Sequence, residues 1–298
     1  MDIALTGSNG LIGTALREEL ESQGHAILRL VRPSSPSRDG ATAVWDPASG
    51  SIDAKALEGI DAVVHLAGEG IAEKRWTSEQ KALLVSSRVD GTNLLARTCA
   101  GLSSPPKRFL SGSAIGYYGD TGANWVEETS PAGSDFLANL CVAWEAAAEP
   151  ARTAGIATVT LRTGIVLDPR GGALKRQLPF FKAGFGGRSG NGRQYFSWIS
   201  WKDQVAALTH LISSAVTGPV NLTAPDPVPN DYFSQTLGSV LHRPTSVIPM
   251  FGPRLLLGRE LADSLLLTSQ RVRPAALLAD GFEFGHPTLD GALHDLLR

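Results

Sequence analysis

Thr6-Gly7-Ser8-Asn9-Gly10-Leu11-Ile12-Gly13 closes a strand candidate, Ile3 to Thr6, and opens a helix candidate, Leu11 to Ser22, with Leu16 and Leu20 on one face. That placement gives each glycine a task. Gly7 permits the tight turn, Gly10 lets backbone approach a pyrophosphate, and Gly13 lets the helix pack on the strand. The helix N-terminus adds unpaired N–H groups and a partial positive charge that favour an anion. A turn that needs only positive φ is the plainer alternative, and the strand-turn-helix context decides for a dinucleotide. Gly7, Asn9, Gly10, Leu11, Ile12 and Gly13 are therefore the expected contacts on the phosphate side.

Outward from this turn, short apolar runs alternate with longer helical stretches, the pattern of a parallel sheet with crossover helices. Ala26 to Val31, Val44 to Asp46, Arg108 to Ser111 and Ala157 to Leu161 read as strands. Asp61-Ala62-Val63-Val64-His65-Leu66-Ala67 is apolar almost throughout, as expected of a central strand covered on both faces. Ser78 to Ala100 and Phe136 to Thr153 read as helices between the strands. After Leu167 come glycine-rich loops, aromatics and Pro-rich stretches, then helix candidates at Asn230 to Leu241, Pro253 to Thr268 and Leu289 to Leu297. The expected fold is α/β: a Rossmann-type doubly wound parallel sheet over 1–167, rejoined by 200–225, with a small C-terminal α/β lobe in 168–298 that turns helical from about 245.

Composition narrows the class. The 298 residues suffice for one large α/β domain with an appendage, and the 43% hydrophobic content excludes disordered and fibrous chains. Lys plus Arg (27) nearly balance Asp plus Glu (29), so no strong field points to nucleic acid or an anionic membrane as partner. Cys99 and Cys141 are widely spaced without a nearby Cys/His cluster, so neither a disulfide scaffold nor a metal site is expected, and a reducing cytoplasm fits. Met1 to Thr6 lacks the basic and apolar regions of a signal peptide, and no run approaches the ~20 apolar residues of a membrane span.

The second strand selects the dinucleotide. An NAD site places Asp or Glu at the strand end to accept from the ribose hydroxyls, whereas here the strand ends Leu30-Val31-Arg32. A guanidinium suits a 2′-phosphate through bidentate hydrogen bonds and stacks on adenine. NADP(H) is the expected cofactor, against the plainer reading of Arg32 as a solvated surface charge.

These residues, together with Asp61 to Gly68 and Ser113-Ala114-Ile115-Gly116-Tyr117-Tyr118-Gly119, resemble the extended short-chain dehydrogenase/reductase superfamily in its nucleotide-sugar-epimerase-like branch. The runs Leu66-Ala67-Gly68-Glu69, Lys74-Arg75-Trp76-Thr77, Ser87-Arg88-Val89, Trp144-Glu145, Arg162 to Leu167 and Gln194 to Ile199 narrow the resemblance to a subfamily known as "epimerase family" proteins. Arg243-Pro244, Gln270 to Pro274 and Gly281-Phe282 resemble the small domain of unknown function that closes those chains. The resemblance implies Asp46 near the adenine and Leu66, Ala67, Gly68 and Glu69 along the cofactor. It further implies a cofactor or substrate contact at Arg88, Gly164 and Ile165 towards the nicotinamide, and Ser113 polarising a substrate oxygen. A homodimer through two long helices is also implied, with Ser78 to Ala100 and Phe136 to Thr153 as the candidates.

The chain departs from the superfamily at its acid/base pair. A tyrosine of pKa ~10 works near neutrality when an adjacent ammonium stabilises its phenolate, which is the logic of Tyr-x-x-x-Lys. Aligning Glu145 with the superfamily's acidic residue puts Leu137 at the tyrosine and Cys141 at the lysine, and no Tyr-x-x-x-Lys occurs anywhere. The diphosphate-clamping arginine is replaced by Phe196, in an aromatic run with Tyr195, Trp198 and Trp201 that reads either as a flat, less charged substrate site or as plain core. Tyr118 is the nearest phenol and becomes the candidate proton donor beside Ser113. Lys74, Arg75, Glu145, Cys141 and His65 are weaker candidates, and Gly184 to Gly192 is a candidate lid.

Two readings follow. One is an NADP(H)-dependent oxidoreductase or epimerase-like enzyme moving hydride to or from a small carbonyl or alcohol. The other is a non-catalytic NADP(H)-binding redox sensor, which the missing pair favours.

Overall fold

The computed structural model describes residues 1–35 and 40–298. Its centre is an eight-stranded sheet of β1 (Asp2–Thr6), β2 (Ala26–Val31), β3 (Thr42–Asp46), β4 (Ser51–Ile52), β5 (Ala62–His65), β6 (Arg108–Ala114), β8 (Ala157–Thr163) and β13 (Gly218–Leu222). The spatial order is β13-β8-β6-β5-β1-β2-β3-β4, with every pair parallel except β3 and β4. The chain leaves β1 towards β2 on one side and returns at β5 on the other, so the sheet reverses direction at the β1/β5 boundary. That is the point where doubly wound sheets open a crevice at their C-terminal edge.

Apolar residues alternate between two faces because neighbouring strand residues point opposite ways. Ile3, Leu5 and Ile27 face α1 (Leu11–Ser22) and α6 (Trp201–Ser213), and bury against Leu16, Leu20, Leu208 and Leu211. Ala4, Leu30, Val63 and Phe109 face the opposite way, onto Leu95 and Cys99 of α2 (Ser78–Ala100) and Ala151 of α4 (Glu149–Thr153). The helix expected over Phe136 to Thr153 is two: α3 (Phe136–Ala146) stops before α4, whose second residue is Pro150. Proline lacks the N–H that a continuing helix needs, so it belongs in a first turn.

The C-terminal lobe is built from short pieces: β7 (Trp125–Val126) with β16 (Arg271–Val272), β9 (Ile165–Leu167) with β12 (Trp198–Ser200), β10 (Gly187–Ser189) with β15 (Ser246–Ile248), and β11 (Tyr195–Phe196) with β14 (Val228–Pro229). Around them lie α5 (Gly172–Lys182), α7 (Asn230–Val240), α8 (Phe251–Leu257), α9 (Arg259–Leu266), α10 (Ala275–Ala279) and α11 (Leu289–Leu296). The helix expected over Pro253 to Thr268 breaks at Gly258, whose φ of 86° lies outside the helical region. Phe181, Trp198, Phe233 and Leu293 form the lobe's own core. Among the described residues no helix is long and apolar enough to cross a membrane.

One contact fixes where α1 begins. A Cβ built on Gly13 would lie 2.1 Å from the Gly7 carbonyl oxygen and 2.8 Å from its carbon, both backbone atoms. Gly13→Ala is expected to cost about 3 kcal/mol or more in chemical denaturation, because neither neighbour can move without displacing β1. A loss under about 1 kcal/mol would show that helix and strand are not in fixed contact.

Candidate functional site

The glycine turn sits at the sheet reversal. Gly7 has φ of 68° and a Cβ there would meet the Leu66 carbonyl carbon at 2.9 Å, so the turn presses against the chain leaving β5. Gly10 accepts α1's first helical bond, from the Thr14 amide, and supplies no side-chain cap, and the first turn of α1 carries no acidic residue. The opening amides of α1, at Leu11, Ile12 and Gly13, are therefore the unpaired donors of a helix start, beside a cleft of about 330 Å³. Gly7 to Gly10 line one side and Leu66 to Gly68 another, and Val31, Arg32, Ser35 and Trp45 add to the lining. Arg32 is exposed at the mouth, one residue past β2.

Asp46 lies beside this cleft without lining it. Its carboxylate accepts from the Ala48 amide at 3.2 Å and the Ser49 hydroxyl at 2.8 Å, which holds a turn, and the preceding Trp45 takes the cleft-facing place. Arg88 sits beneath Gly68, donating to the carbonyls of Glu69 at 2.9 Å and Leu84 at 3.1 Å, with its guanidinium 5.0 Å from the Trp144 ring centre. It thus positions the Gly68-Glu69 backbone, and burial lowers its pKa from the ordinary arginine value.

Arg29 escapes sequence reading, since a charge inside a strand pattern gives no sign of its partners. It is 3% exposed on β2 and donates to Ser8 Oγ at 3.2 Å and Asn9 Oδ1 at 2.6 Å, gripping the glycine turn from below. A second brace comes from Thr6. Its hydroxyl oxygen accepts the Leu66 and Ala67 amides at 3.1 and 3.2 Å, so its proton points to His65 Nδ1 at 2.7 Å. His65 is therefore neutral with its proton on Nε2, and the ring meets Trp45 edge to face at 5.5 Å. Full burial pushes its pKa down to about 4.

Ser113, near the end of β6, opens a buried polar chain. Its hydroxyl donates to Glu145 Oε1 at 2.7 Å. The same carboxylate accepts Arg162 Nε at 2.8 Å and Nη2 at 2.9 Å, a bidentate pair with the guanidinium nearly buried on β8. Burial opposes the charge on Arg162, but Glu145 more than compensates and raises its pKa. Tyr118 is 4% exposed; its hydroxyl donates to Asn221 Oδ1 at 2.7 Å and accepts from Arg162 Nη1 at 3.1 Å. Burial pushes that phenol up to about 12, so its proton is committed to the fold and poorly suited to transfer near neutrality. Burial likewise pushes the Cys141 thiol up to about 12, leaving it protonated against Ser113.

Gly164 and Ile165 follow β8, their amides bonded to the carbonyls of Leu222 at 3.0 Å and Ser197 at 2.9 Å. A Cβ at Gly164 would come within 2.8 Å of the Ser197 oxygen, so the crossing of β8 and the lobe admits no side chain there. The aromatic run resolves towards core: Phe196 packs on Phe233 at 4.5 Å, Trp198 is fully buried, and Arg170 stacks on Trp201 at 4.2 Å. Tyr195 instead stacks with Arg271 at 4.5 Å. The candidate lid is pinned, because Gly187 to Ser189 pair with β15 and Asn230 Oδ1 accepts the Ser189 amide at 2.8 Å. Arg75 is committed to the lobe through the carbonyls of Leu255 and Leu256, while Lys74 is exposed. Among the described residues no group of three or more His, Cys, Asp or Glu is placed to hold a metal ion.

A dinucleotide-type cleft at the sheet reversal, with a serine at the end of the neighbouring strand, defines a class of nucleotide-binding α/β protein. Residues 3–223 match the model of the NAD dependent epimerase/dehydratase family, and the chain belongs to that family. Residues 248–296 match a domain of unknown function, DUF1731. Epimerase family protein Mb2239 of Mycobacterium bovis is 43% identical over 98% of this chain and 96% of its own. Human epimerase family protein SDR39U1 is 35% identical over the full length of both. The crystal structure of human SDR39U1 (isoform 2) with NADPH superposes with a TM-score of 0.89 at 34% identity, covering 99% of each chain. A Bacillus cereus UDP-N-acetylglucosamine 4-epimerase, 19% identical with a TM-score of 0.77 over 99% of this chain and 98% of its own, shares the fold.

The buried histidine makes stability depend on pH in a stated direction. An unfolded histidine ionises near 6.5, whereas His65 stays neutral in the fold to about 4. Between those values the unfolded chain binds the extra proton, so stability is lost as pH falls, by about 1.4 kcal/mol per unit and about 3 kcal/mol in all. Denaturation of wild type and His65→Gln at pH 7 and pH 4 is expected to show that difference shrinking by this amount; a difference independent of pH would contradict it.

Proposed function

We propose that this chain is an NADP(H)-dependent oxidoreductase of its family, acting on a small alcohol or carbonyl compound. The observation that carries the reading is the pairing of an uncapped α1 N-terminus with Arg32 at the mouth of the same cleft. The residues fit the group: Gly7, Asn9, Gly10, Leu11, Ile12 and Gly13 would hold the pyrophosphate, and Arg32 the 2′-phosphate. Trp45, beside Asp46, would border the adenine. Leu66, Ala67, Gly68 and Glu69, backed by Arg88, would run along the ribose, and Gly164 and Ile165 would stand towards the nicotinamide. The human relative solved with NADPH supports the choice of nucleotide.

A bound nicotinamide supplies or accepts hydride. The chain's own contribution would be to hold that ring near Ser113, whose hydroxyl is oriented by Glu145 and Arg162. A second reading, a non-catalytic NADP(H)-binding redox sensor, is favoured by one observation: Leu137, Cys141 and the committed Tyr118 leave no acid/base pair of the usual kind. Turnover across a panel of alcohols and carbonyls without a change in mass supports the enzyme. A nucleotide-dependent change in mass without turnover supports the sensor.

Titration of the full chain with NADPH and with NADH, followed by nicotinamide fluorescence, tests the shared premise. NADPH is expected to bind more tightly, and Arg32→Ala to weaken it about tenfold, near 1.4 kcal/mol, while leaving NADH unchanged. Equal weakening of both, or no binding of NADPH, would contradict the premise.

A further inference from the structure

The direction of the hydrogen bonds at Ser113 bears on the chemistry of the substrate group. A serine hydroxyl has one proton and two lone pairs. Here the proton is given to Glu145 Oε1 at 2.7 Å, and that carboxylate, held by two Arg162 N–H bonds, has none to return. The Cys141 thiol beside Ser113 stays protonated, so it carries no charge that would draw the serine's proton from Glu145; its own S–H can fill one of the two serine lone pairs, which leaves the other for a substrate hydroxyl. The Tyr118 hydroxyl is engaged on both sides, by Asn221 and Arg162. Ser113, 5% exposed near the C-terminal end of β6, therefore keeps a lone pair to offer and no free proton.

A carbonyl oxygen placed there would face another acceptor, whereas a hydroxyl would find a partner. We propose that the Ser113-Glu145-Arg162 chain is an acceptor site for a substrate hydroxyl, so that the protein selects the alcohol member of an alcohol/carbonyl pair. This rests on the oxidoreductase reading for the location of the substrate beside Ser113. It gives a direction to the expected contact between Ser113 and a substrate oxygen: the serine accepts, because its donor is already spent. Ser113 is the contacting residue, and Glu145 and Arg162 are positioning residues that act through it.

The test uses the full chain saturated with NADP+ and probes that cannot react: 1-methylcyclohexanol, which has no transferable carbinol hydrogen, and cyclohexanone, which meets no hydride donor on the oxidised nucleotide. Dissociation constants come from ligand-observed saturation-transfer NMR. The alcohol is expected to bind at least about tenfold more tightly than the ketone, the worth of one hydrogen bond made against one denied. Ser113→Ala is expected to bring the ratio near one, and Ser113→Thr, which keeps the hydroxyl, to restore it. Equal or tighter binding of the ketone, or a preference that survives in Ser113→Ala, overturns the proposal.

A measurement without substrate guards against probes that bind too weakly to rank. A Ser113 hydroxyl proton held by a carboxylate exchanges slowly enough to give its own proton resonance, absent from Ser113→Ala. Failure to find it overturns the proposal as well. The two readings fail separately: ketone preference in a protein that binds NADP+ defeats only the acceptor site, whereas failure to bind either nucleotide defeats the cofactor reading.

Discussion

Gly13 of α1 rests on the Gly7 carbonyl with no room for a side chain between them, and the geometry of the cofactor cleft follows from that contact. It brings the uncapped helix start to the end of β1, at the place where the sheet reverses direction. Gly7 in turn presses on Leu66, so the same turn sets the distance to the chain leaving β5. Arg29 from below and Thr6 with His65 from the side hold both segments through buried and part-buried hydrogen bonds. Such bonds cost little to keep, yet leave buried groups unsatisfied when one partner is removed. The cleft is thus pre-organised by the chain alone.

The other half of the site follows a different logic. Where the superfamily's resemblance leads one to expect a tyrosine and a lysine, helix α3 brings Leu137 and Cys141, and the charges nearby are the Glu145 carboxylate and Arg162 guanidinium paired with each other, and Arg88 stacked on Trp144. A buried bidentate pair of this kind keeps both partners ionised and fixes their orientation. Through it, Ser113 acquires a fixed hydrogen-bond direction, and Tyr118 becomes part of the scaffold that links β6, β8 and β13.

The architecture was legible because period and punctuation agree with it. Apolar runs mark the parallel strands, and the glycine spacing marks the turn. The break between α3 and α4 was legible in principle from Pro150, and that at Gly258 from the glycine alone, yet both lie inside patterns that continue across them. Arg32 was visible because its place at a strand end has a general meaning. Arg29 was not, since its partners are 20 and 21 residues away and meet it only in the fold. The aromatic run around Phe196 was ambiguous for a related reason: side chains that line a pocket and side chains that fill a core have the same composition, and the contact with Phe233 decides between them. The polarity of Ser113 depends on a carboxylate 32 residues away and has no sequence signal at all.

The turn at residues 7–13 and the segment 66–68 that leaves β5 form one pre-organised nucleotide cleft. Amide hydrogen exchange with and without NADPH tests it most directly. The account predicts slowed exchange at the opening amides of α1 and at Leu66 to Gly68 when NADPH is added, with the remote lobe helix α11 unaffected. Exchange at these amides that is indifferent to NADPH, or protection confined to the lobe, would contradict it.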